Sequence, residues 1–154
     1  MLNVVKENKG DTLILRLNGS IEESVDLATL FGPPQPKMDI YLKEVSRINS
    51  MGVKAWLIYF QAAQAKGSQL KFFECSTAMV EQINMISNFL CGGVVESIFV
   101  PFICENCKAE LVGCFRCADI KKVNCNMPFL KCTKCSGKAV FDDISEEYFA
   151  FLNR

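Results

Sequence analysis

Short apolar runs alternate with longer stretches of helical periodicity over the first hundred residues of the chain. The turn-rich segment 8–11 joins the first two apolar runs and predicts a hairpin. The predicted strands are 2–5, 12–17, 38–45, 70–75 and 97–100. The predicted helices are 21–30, 53–65 and one from Ser76 or Thr77 to Phe89 or Leu90. Strands that alternate with helices predict an α/β fold, in which helices cover a mixed sheet.

Glycine and proline mark the ends of several of these elements. Asn18-Gly19 is predicted to break the second strand, and Gly32-Pro33-Pro34 is predicted to end the first helix. Beyond Pro101 the pattern changes, because only two of the nine cysteines precede residue 100. We therefore predict an α/β domain over 1–100 and a small β-rich module with a short C-terminal helix over 101–154. No long flexible linker separates them, so the two parts are expected to dock.

Charge and hydropathy narrow the classes of function. The chain of 154 residues carries 17 basic and 17 acidic side chains, so no overall field attracts it to nucleic acid or to an anionic membrane. The N-terminus becomes polar before it can form a signal peptide, and no run is long enough for a membrane helix. We expect a cytoplasmic protein without membrane insertion or nucleic-acid binding. In a reducing compartment, CxxC motifs indicate metal ligands before disulfides.

Two CxxC motifs near the ends of the C-terminal module carry the clearest chemistry. Each can form a tight turn that directs two sulfurs at one ion, and two such turns complete the four-thiolate set of a structural zinc site. The chain has no histidine, so every soft ligand must be cysteine. The module resembles a zinc ribbon, with Gly137 supporting the second turn. The predicted zinc ligands are Cys104, Cys107, Cys132 and Cys135.

A third CxxC motif, Cys114 and Cys117, offers substitute ligands for one of the outer pairs. In a regular strand, residues three apart point to opposite faces and cannot both bind one ion. The outer pairs are preferred, because they bracket the module as ribbon turns do. Cys125 adds a third inner thiol, and the three are predicted to be free, buried or mutually oxidised. Redox catalysis is the alternative, but such a motif normally opens a long helix, and none of these does.

The segment around Ser50 lies between a predicted strand and a predicted helix. Ser50 is predicted to be the N-cap of the helix, since its oxygen can accept a bond from the first turn. The helix also carries a second apolar face with Ile58 and Tyr59. We expect the C-terminal module or a homodimer partner to cover that face, with a different protein partner as the alternative.

The order of these motifs resembles a known family. Asn18-Gly19, the junction Asn49-Ser50-Met51-Gly52, the following helix, Gly67 and the strand from Leu70 are similar to the STAS domain of anti-sigma factor antagonists. In that family the junction usually reads Asp-Ser-Ser-Gly or Asp-Ser-Thr-Gly, and a partner kinase that is also an anti-sigma factor phosphorylates the first serine. Here Asn49 replaces the acidic residue and Met51 replaces the small hydroxyl residue. Asn49 keeps the shape of aspartate without its charge.

The resemblance implies a regulatory protein-binding module without enzymatic activity, in which Ser50 is the candidate phospho-acceptor. Its partner would be an anti-sigma factor with serine kinase activity. A scaffold or accessory subunit of a larger assembly, without phospho-control, is the alternative function, and a thiol redox protein is a third. The candidates for the partner surface are Asn49, Met51, Gly52, Ile58 and Tyr59.

Overall fold

The computed structural model describes residues 1–22 and 25–154. Within them the chain forms two sheets and five α-helices, so the predicted α/β class is confirmed. In chain order the elements are β1 (Leu2–Lys9), β2 (Thr12–Ile21), α1 (Leu27–Phe31), β3 (Lys37–Ile48), α2 (Ser50–Ala65), β4 (Gln69–Phe73), α3 (Thr77–Met85), β5 (Val94–Val95), β6 (Ser97–Cys104), β7 (Glu110–Arg116), α4 (Cys117–Lys122), β8 (Leu130–Lys131), β9 (Lys138–Phe141) and α5 (Ser145–Tyr148), followed by a 3₁₀ turn (Ala150–Asn153).

The first sheet has the strand order β1-β2-β3-β4-β5. The predicted hairpin is present, since β1 and β2 are antiparallel and Lys9 lies opposite Thr12. Every later pairing in this sheet is parallel. A parallel pairing of consecutive strands requires a crossover connection, and α1, α2 and α3 lie in these connections. In this topology, α2 begins directly after the C-terminal end of β3.

The prediction that Asn18-Gly19 ends the second strand is wrong. β2 continues to Ile21, and its register with β3 shifts between Gly19 and Ser20. Gly19 has φ 118°, and a Cβ there would lie 2.1 Å from the carbonyl oxygen of Met1. Glycine accommodates both this backbone conformation and the close approach of β1. The dipeptide therefore marks an irregularity inside a strand that has partners on both sides.

The first helix is shorter than the predicted 21–30. It covers Leu27–Phe31, and the side chain of Asp26 caps it by accepting a bond from the Thr29 N–H. Gly32 ends it with φ 78°, as predicted for the Gly-Pro-Pro segment. Glu23 and Ser24, which the predicted helix included, lie outside the described residues.

The core of the first sheet is built around Trp56 of α2. Its ring is fully buried and stacks on Phe89 at 4.9 Å between centroids, and its Nε1–H donates to the Phe89 carbonyl oxygen at 2.8 Å. Phe60 and Phe72 pack against the same ring. Burying a side chain of this size stabilises the fold by roughly 1.5–3 kcal/mol. The helix predicted to reach Phe89 or Leu90 ends at Met85, because the chain turns there and Phe89 enters this cluster.

The second sheet has the order β7-β6-β9-β8. β6 runs without interruption through Pro101, so the strand predicted for 97–100 is longer and belongs to this sheet. The Cys75 N–H donates to the Ser97 carbonyl oxygen at 3.1 Å, and the Phe99 N–H donates to the Cys75 carbonyl oxygen at 2.8 Å. These bonds join the two sheets. One hydrophobic core accordingly contains Phe102 and Phe149 together with the residues around Trp56.

The C-terminal tail packs against α3. The Asn84 side chain donates to the Tyr148 carbonyl oxygen at 2.9 Å and accepts from the Phe151 N–H at 2.9 Å. The Tyr148 hydroxyl donates to the Phe99 carbonyl oxygen at 2.6 Å. Helix α5 is therefore fixed to both α3 and β6. Among the helices described, none has the length and apolar character needed to cross a membrane.

Candidate functional site

Four cysteine sulfurs meet where β6 ends and β9 begins. The Sγ atoms of Cys104, Cys107, Cys132 and Cys135 all lie within 4.8 Å of one another. Two of the sulfur–sulfur separations link the two motifs: Cys104 to Cys135 at 3.5 Å and Cys107 to Cys132 at 3.7 Å. Cys104 and Cys132 are buried, while Cys107 and Cys135 are exposed. One cysteine of each motif is therefore buried in the protein, and the other lies at the surface.

The first motif turns tightly at the end of β6. The Lys108 N–H donates to the Cys104 carbonyl oxygen at 3.0 Å, and the Cys104 N–H donates to the Ala109 carbonyl oxygen at 3.0 Å. Lys108 has φ 63°, in the left-handed region that a non-glycine residue rarely adopts. These bonds reverse the chain within six residues and return it into β7.

The second motif repeats the first bond by bond. The Ser136 N–H donates to the Cys132 carbonyl oxygen at 2.9 Å, and the Cys132 N–H donates to the Gly137 carbonyl oxygen at 2.8 Å. Ser136 has φ 64° and occupies the place that Lys108 has in the first turn. Both residues directly follow the second cysteine of their motif. Two equivalent turns that face each other direct four sulfurs at a common centre.

A side chain at Gly137 would crowd the cysteine cluster. A Cβ at this position would lie 3.1 Å from the Cys135 sulfur and 3.2 Å from the Cys104 sulfur. The sequence predicted a supporting role for this glycine in the turn, and the structure gives the reason: the backbone passes directly against the two sulfurs. Its N–H also donates to the Cys135 sulfur at 3.4 Å.

Hydrogen bonds to the sulfurs favour the thiolate form in the second motif. The Asn106 side chain donates to the Cys135 sulfur at 3.5 Å. This bond, followed by the one from the Gly137 N–H, lowers the pKa of Cys135 to about 6. The backbone N–H of Lys134 has the same effect on Cys132 and lowers the pKa of that thiol. The sequence analysis did not identify Asn106 as a residue of this site. Its position inside the first CxxC motif was the one signal that could have indicated it.

The inner pair does not join this group. Cys114 lies exposed on β7, whereas Cys117 is the buried first residue of α4. Burial raises the pKa of Cys117 to about 12, and partial burial of the sulfur together with the Glu74 carboxylate raises the pKa of Cys114. Cys125 follows α4 with φ 62°, and its N–H donates to the Ile120 carbonyl oxygen at 3.0 Å. The three inner cysteines thus occupy three different structural settings.

The second candidate site is the start of α2, where the predicted capping residue is wrong. Asn49, not Ser50, is the N-cap: its side-chain oxygen accepts the Gly52 N–H at 2.8 Å, and its own N–H donates to the Ile21 carbonyl oxygen at 3.2 Å. Ser50 is the first helical residue and is exposed. Asparagine and serine both cap well, so the sequence did not distinguish adjacent candidates.

Gly52 lets the start of α2 pack against the end of β2. A Cβ at this position would lie 2.0 Å from the carbonyl oxygen of Ile21, which is a backbone atom that cannot move aside. The residue is buried and so is not part of the surface on which the sequence analysis placed it. Its function is to permit a close helix–strand contact.

Of the remaining candidates for a partner surface, one is buried and two are exposed. Tyr59 is buried and so does not contribute to an exposed partner surface, and its hydroxyl donates to the Gly32 carbonyl oxygen at 2.8 Å. Burial raises the pKa of this hydroxyl to about 12. Met51 is 50% exposed and Ile58 is 62% exposed. The C-terminal module therefore leaves Ile58 uncovered, although it was one of the two expected covers of this helix face.

Comparison with known proteins adds no family to these observations. No protein-family model matches the chain, and no curated protein matches it. The similarity to STAS domains consequently rests on the order and spacing of the sequence motifs, and it enters the functional argument as a proposal.

Proposed function

We propose that this chain is a regulatory protein that binds a protein partner through the start and outer face of α2. The observation that carries the proposal is the exposure of Ser50 and Met51 at the helix start together with Ile58 two turns later. Met51 and Ile58 are seven residues apart and so share one face of the helix. An exposed apolar pair beside a modifiable hydroxyl is a surface on which binding can be regulated.

Ser50 is well placed for phosphorylation. Asn49 already caps α2, so the helix does not require the Ser50 hydroxyl for its own stability. A phosphate at the first helical residue would lie among the N–H groups of the first turn, where the helix dipole favours an anion. It would add up to two negative charges beside Met51 without entering the core. The helix would persist, and an apolar partner surface would become charged.

The STAS resemblance suggests the class of partner. In that family the partner is an anti-sigma factor that is also a serine kinase, and Ser50 corresponds to its substrate residue. A scaffold or accessory subunit without phospho-control would use the same exposed helix face. The two functions differ in one respect, which is whether a negative charge at position 50 weakens the complex.

We further propose that the four-cysteine centre binds a structural Zn²⁺ ion. Zinc–sulfur bonds of about 2.3 Å in a tetrahedron place the sulfurs about 3.8 Å apart. The sulfur separations of 3.5 and 3.7 Å between the two turns fit this requirement. Four thiolates fill a tetrahedral zinc site, so no position is left for a substrate. The ion would stabilise a module that has few core residues of its own.

Thiol redox catalysis is a less favourable proposal for the cysteines. A catalytic CxxC motif requires a thiolate of low pKa at the start of a helix. Cys117 begins α4, but its pKa is raised to about 12 by burial, and the pKa of Cys114 is raised as well. Neither inner thiol is therefore prepared to attack a disulfide at neutral pH.

Affinity capture from the native host tests the regulatory function. The tagged wild-type chain is compared with Ser50→Ala and Ser50→Glu, and Ser87→Glu provides a matched charge at another exposed position. We expect Ser50→Ala to retain its partner and Ser50→Glu to lose at least about tenfold in affinity, or roughly 1.4 kcal/mol. Mass spectrometry of the captured chain locates any phosphate on Ser50.

Ile58→Asp separates the two parts of the proposal. If this variant loses the partner while Ser50→Glu retains it, the surface is correct and the phospho-control is wrong. A stable stoichiometric complex with that behaviour supports the scaffold function. If neither variant changes the captured proteins, α2 is not the partner surface.

A further inference from the structure

We propose that a groove between α3 and the second sheet binds a basic, partly apolar segment of a protein partner. Two adjoining pockets of about 340 and 290 Å³ form this groove. They share Glu81 on α3, Asp143 after β9 and Tyr148 on α5. We call this region the acidic groove. It lies apart from the exposed face of α2, and the proposal does not depend on the role of Ser50.

The floor and one end of the acidic groove are apolar. Pro101 and Phe102 of β6 and Leu111 and Val112 of β7 line the larger pocket. Val112 is 58% exposed. At the far end of the smaller pocket, Met85 is 71% exposed. Apolar side chains this exposed inside a concave surface offer area that a bound segment can cover.

The rim of the acidic groove carries only negative charge. No lysine or arginine lines either pocket, and in the described part of the chain none of the rim carboxylates forms an ion pair. These carboxylates belong to Glu81, Glu110, Asp142, Asp143 and Glu147.

In the described part of the chain, neither Lys43 nor Arg154 forms an ion pair with these carboxylates. Lys43 lies in a neighbouring pocket, beyond Thr77 and Val112. The Arg154 guanidinium donates to the carbonyl oxygens of Ile83 and Asn84 at the end of α3. Burial raises the pKa of the Tyr148 hydroxyl, and the charges of Asp143 and Glu81 raise it further. The Asp143 and Glu81 carboxylates are therefore close enough to Tyr148 for their charges to act on its hydroxyl.

The walls of the acidic groove are already ordered. Tyr148 is held by its hydroxyl at Phe99 and by the Asn84 side chain at its carbonyl oxygen. A preformed site avoids the entropic cost of ordering side chains during binding. An occupant with lysine or arginine can place its aliphatic stems on Val112 while its charged groups reach the rim carboxylates. A purely apolar segment would contact the floor but leave the rim carboxylates without a partner. An acidic segment would be repelled by the rim.

Two fluorescein-labelled heptapeptides test this proposal with the zinc-loaded full chain. The probe is Lys-Leu-Lys-Val-Lys-Leu-Lys, and the matched peptide has glutamate at each lysine position. We expect saturable binding of the basic peptide by fluorescence anisotropy and at least about tenfold weaker binding of the acidic one. In ¹⁵N-resolved NMR spectra, the shifts are expected to cluster at Val112 and Tyr148.

Charge-removing variants locate the binding site. The double variant Glu81→Gln and Asp143→Asn is expected to weaken binding of the basic peptide at least about fivefold, because two charge contacts are lost. The control is Glu7→Gln with Asp39→Asn on the first sheet, which is expected to remain within about twofold of wild type. Val112→Thr removes apolar contact at nearly constant shape and is expected to weaken binding about threefold.

Three results would overturn the proposal. The first is the absence of saturable binding by the basic peptide to a folded, zinc-loaded chain. The second is equal weakening by the groove variant and its control. The third is a dimer in sedimentation velocity that the groove variant dissociates, because the occupant would then be a second copy of this chain.

Discussion

The outer and inner CxxC motifs have the same cysteine spacing but entirely different structures. In both outer motifs, the residue after the second cysteine has a left-handed backbone, Lys108 with φ 63° and Ser136 with φ 64°. In the inner motif the chain instead passes from β7 into α4, which leaves Cys114 exposed and Cys117 buried. The four outer sulfurs converge on one centre, and the inner pair is not part of that group.

Cysteine spacing alone therefore does not make a metal site. A turn must reverse the chain around each pair, and N–H groups must point at the sulfurs. The outer motifs meet both conditions. In the second motif, Asn106 and Gly137 lower the pKa of Cys135 to about 6. In the first motif, the bond from the Ala109 N–H lowers the pKa of Cys107, but contacts with the other sulfurs outweigh it and raise that pKa to about 11. In the inner motif, burial raises the pKa of Cys117 to about 12. The outer cysteines are thus arranged to bind a metal ion, whereas Cys117 of the inner motif is a core residue.

Removing a buried outer cysteine has the largest expected effect. Cys104→Ser is expected to reduce the zinc content from about one ion per chain to nearly none and to lower the free energy of unfolding by about 4 kcal/mol or more. Cys114→Ser is the matched inner variant and is expected to retain zinc. Metal analysis by mass spectrometry and urea denaturation measure the two effects. Equal zinc loss in both variants would make the inner pair a ligand and remove the contrast.

The two cysteines of the inner motif are expected to contribute differently to the free energy of unfolding. Cys117→Ser places a hydroxyl in an apolar site and is expected to cost about 2 kcal/mol, whereas Cys114→Ser is expected to stay within about 0.5 kcal/mol of wild type. Both variants keep their zinc. Urea denaturation of the zinc-loaded chains measures these values. Similar losses in the two variants would show that the inner motif acts as one unit.

A methyl group at Gly137 tests the crowding at the sulfurs. Gly137→Ala is expected to weaken zinc binding about tenfold, because the new Cβ presses on Cys135 and Cys104 and distorts the ligand set. Gly113→Ala in the inner strand is the control, since its Cβ would meet the ends of the Phe115, Leu130 and Phe102 side chains and none of the four outer sulfurs. Competition with a zinc chelator compares the affinities. Unchanged affinity in Gly137→Ala would contradict the argument from space.

The smallest expected effect concerns pH. The lowered pKa of Cys135 favours the thiolate in the folded chain, so its stabilising contribution is present at alkaline pH and is lost as the pH falls through about 6. Asn106→Ala removes the largest cause of this shift. We expect the midpoint of acid-induced zinc release to rise by about half a pH unit, as followed with a zinc-sensitive dye. Asn126→Ala, an exposed asparagine of the same module, is expected to leave the midpoint unchanged.

Long elements with a clear pattern were predictable from the sequence. The helix predicted for 53–65 is Ser50–Ala65, and the first hairpin forms as expected. The two-residue strand β5 and the six-residue helix α4 were missed, because so few residues show no periodicity. The Asn18-Gly19 dipeptide was taken as a strand end. It lies inside β2, since pairing with strands on both sides outweighs the local preference of glycine.

The candidate sites were predictable in part for similar reasons. The outer cysteines were preferred because they bracket the module, and the structure brings those four sulfurs together. Tyr59 and Gly52 were placed at the surface, but they are buried by contacts with residues distant in sequence, Gly32 and Ile21. The acidic groove was not predicted. The sequence shows the acidic segment 142–147, but only the folded chain brings Glu81 and Glu110 next to it.

Which chemistry this protein contains could be read from residue types and their spacing: thiolates as the only soft ligands, two outer motifs able to turn, and a hydroxyl at the start of a helix. Such properties depend on residue type and on contacts within a few positions. The tertiary structure decided which cysteines meet, that Asn49 rather than Ser50 caps α2, and that Ile58 stays exposed while Tyr59 does not. Those outcomes depend on packing between segments far apart in the chain, which local patterns do not encode.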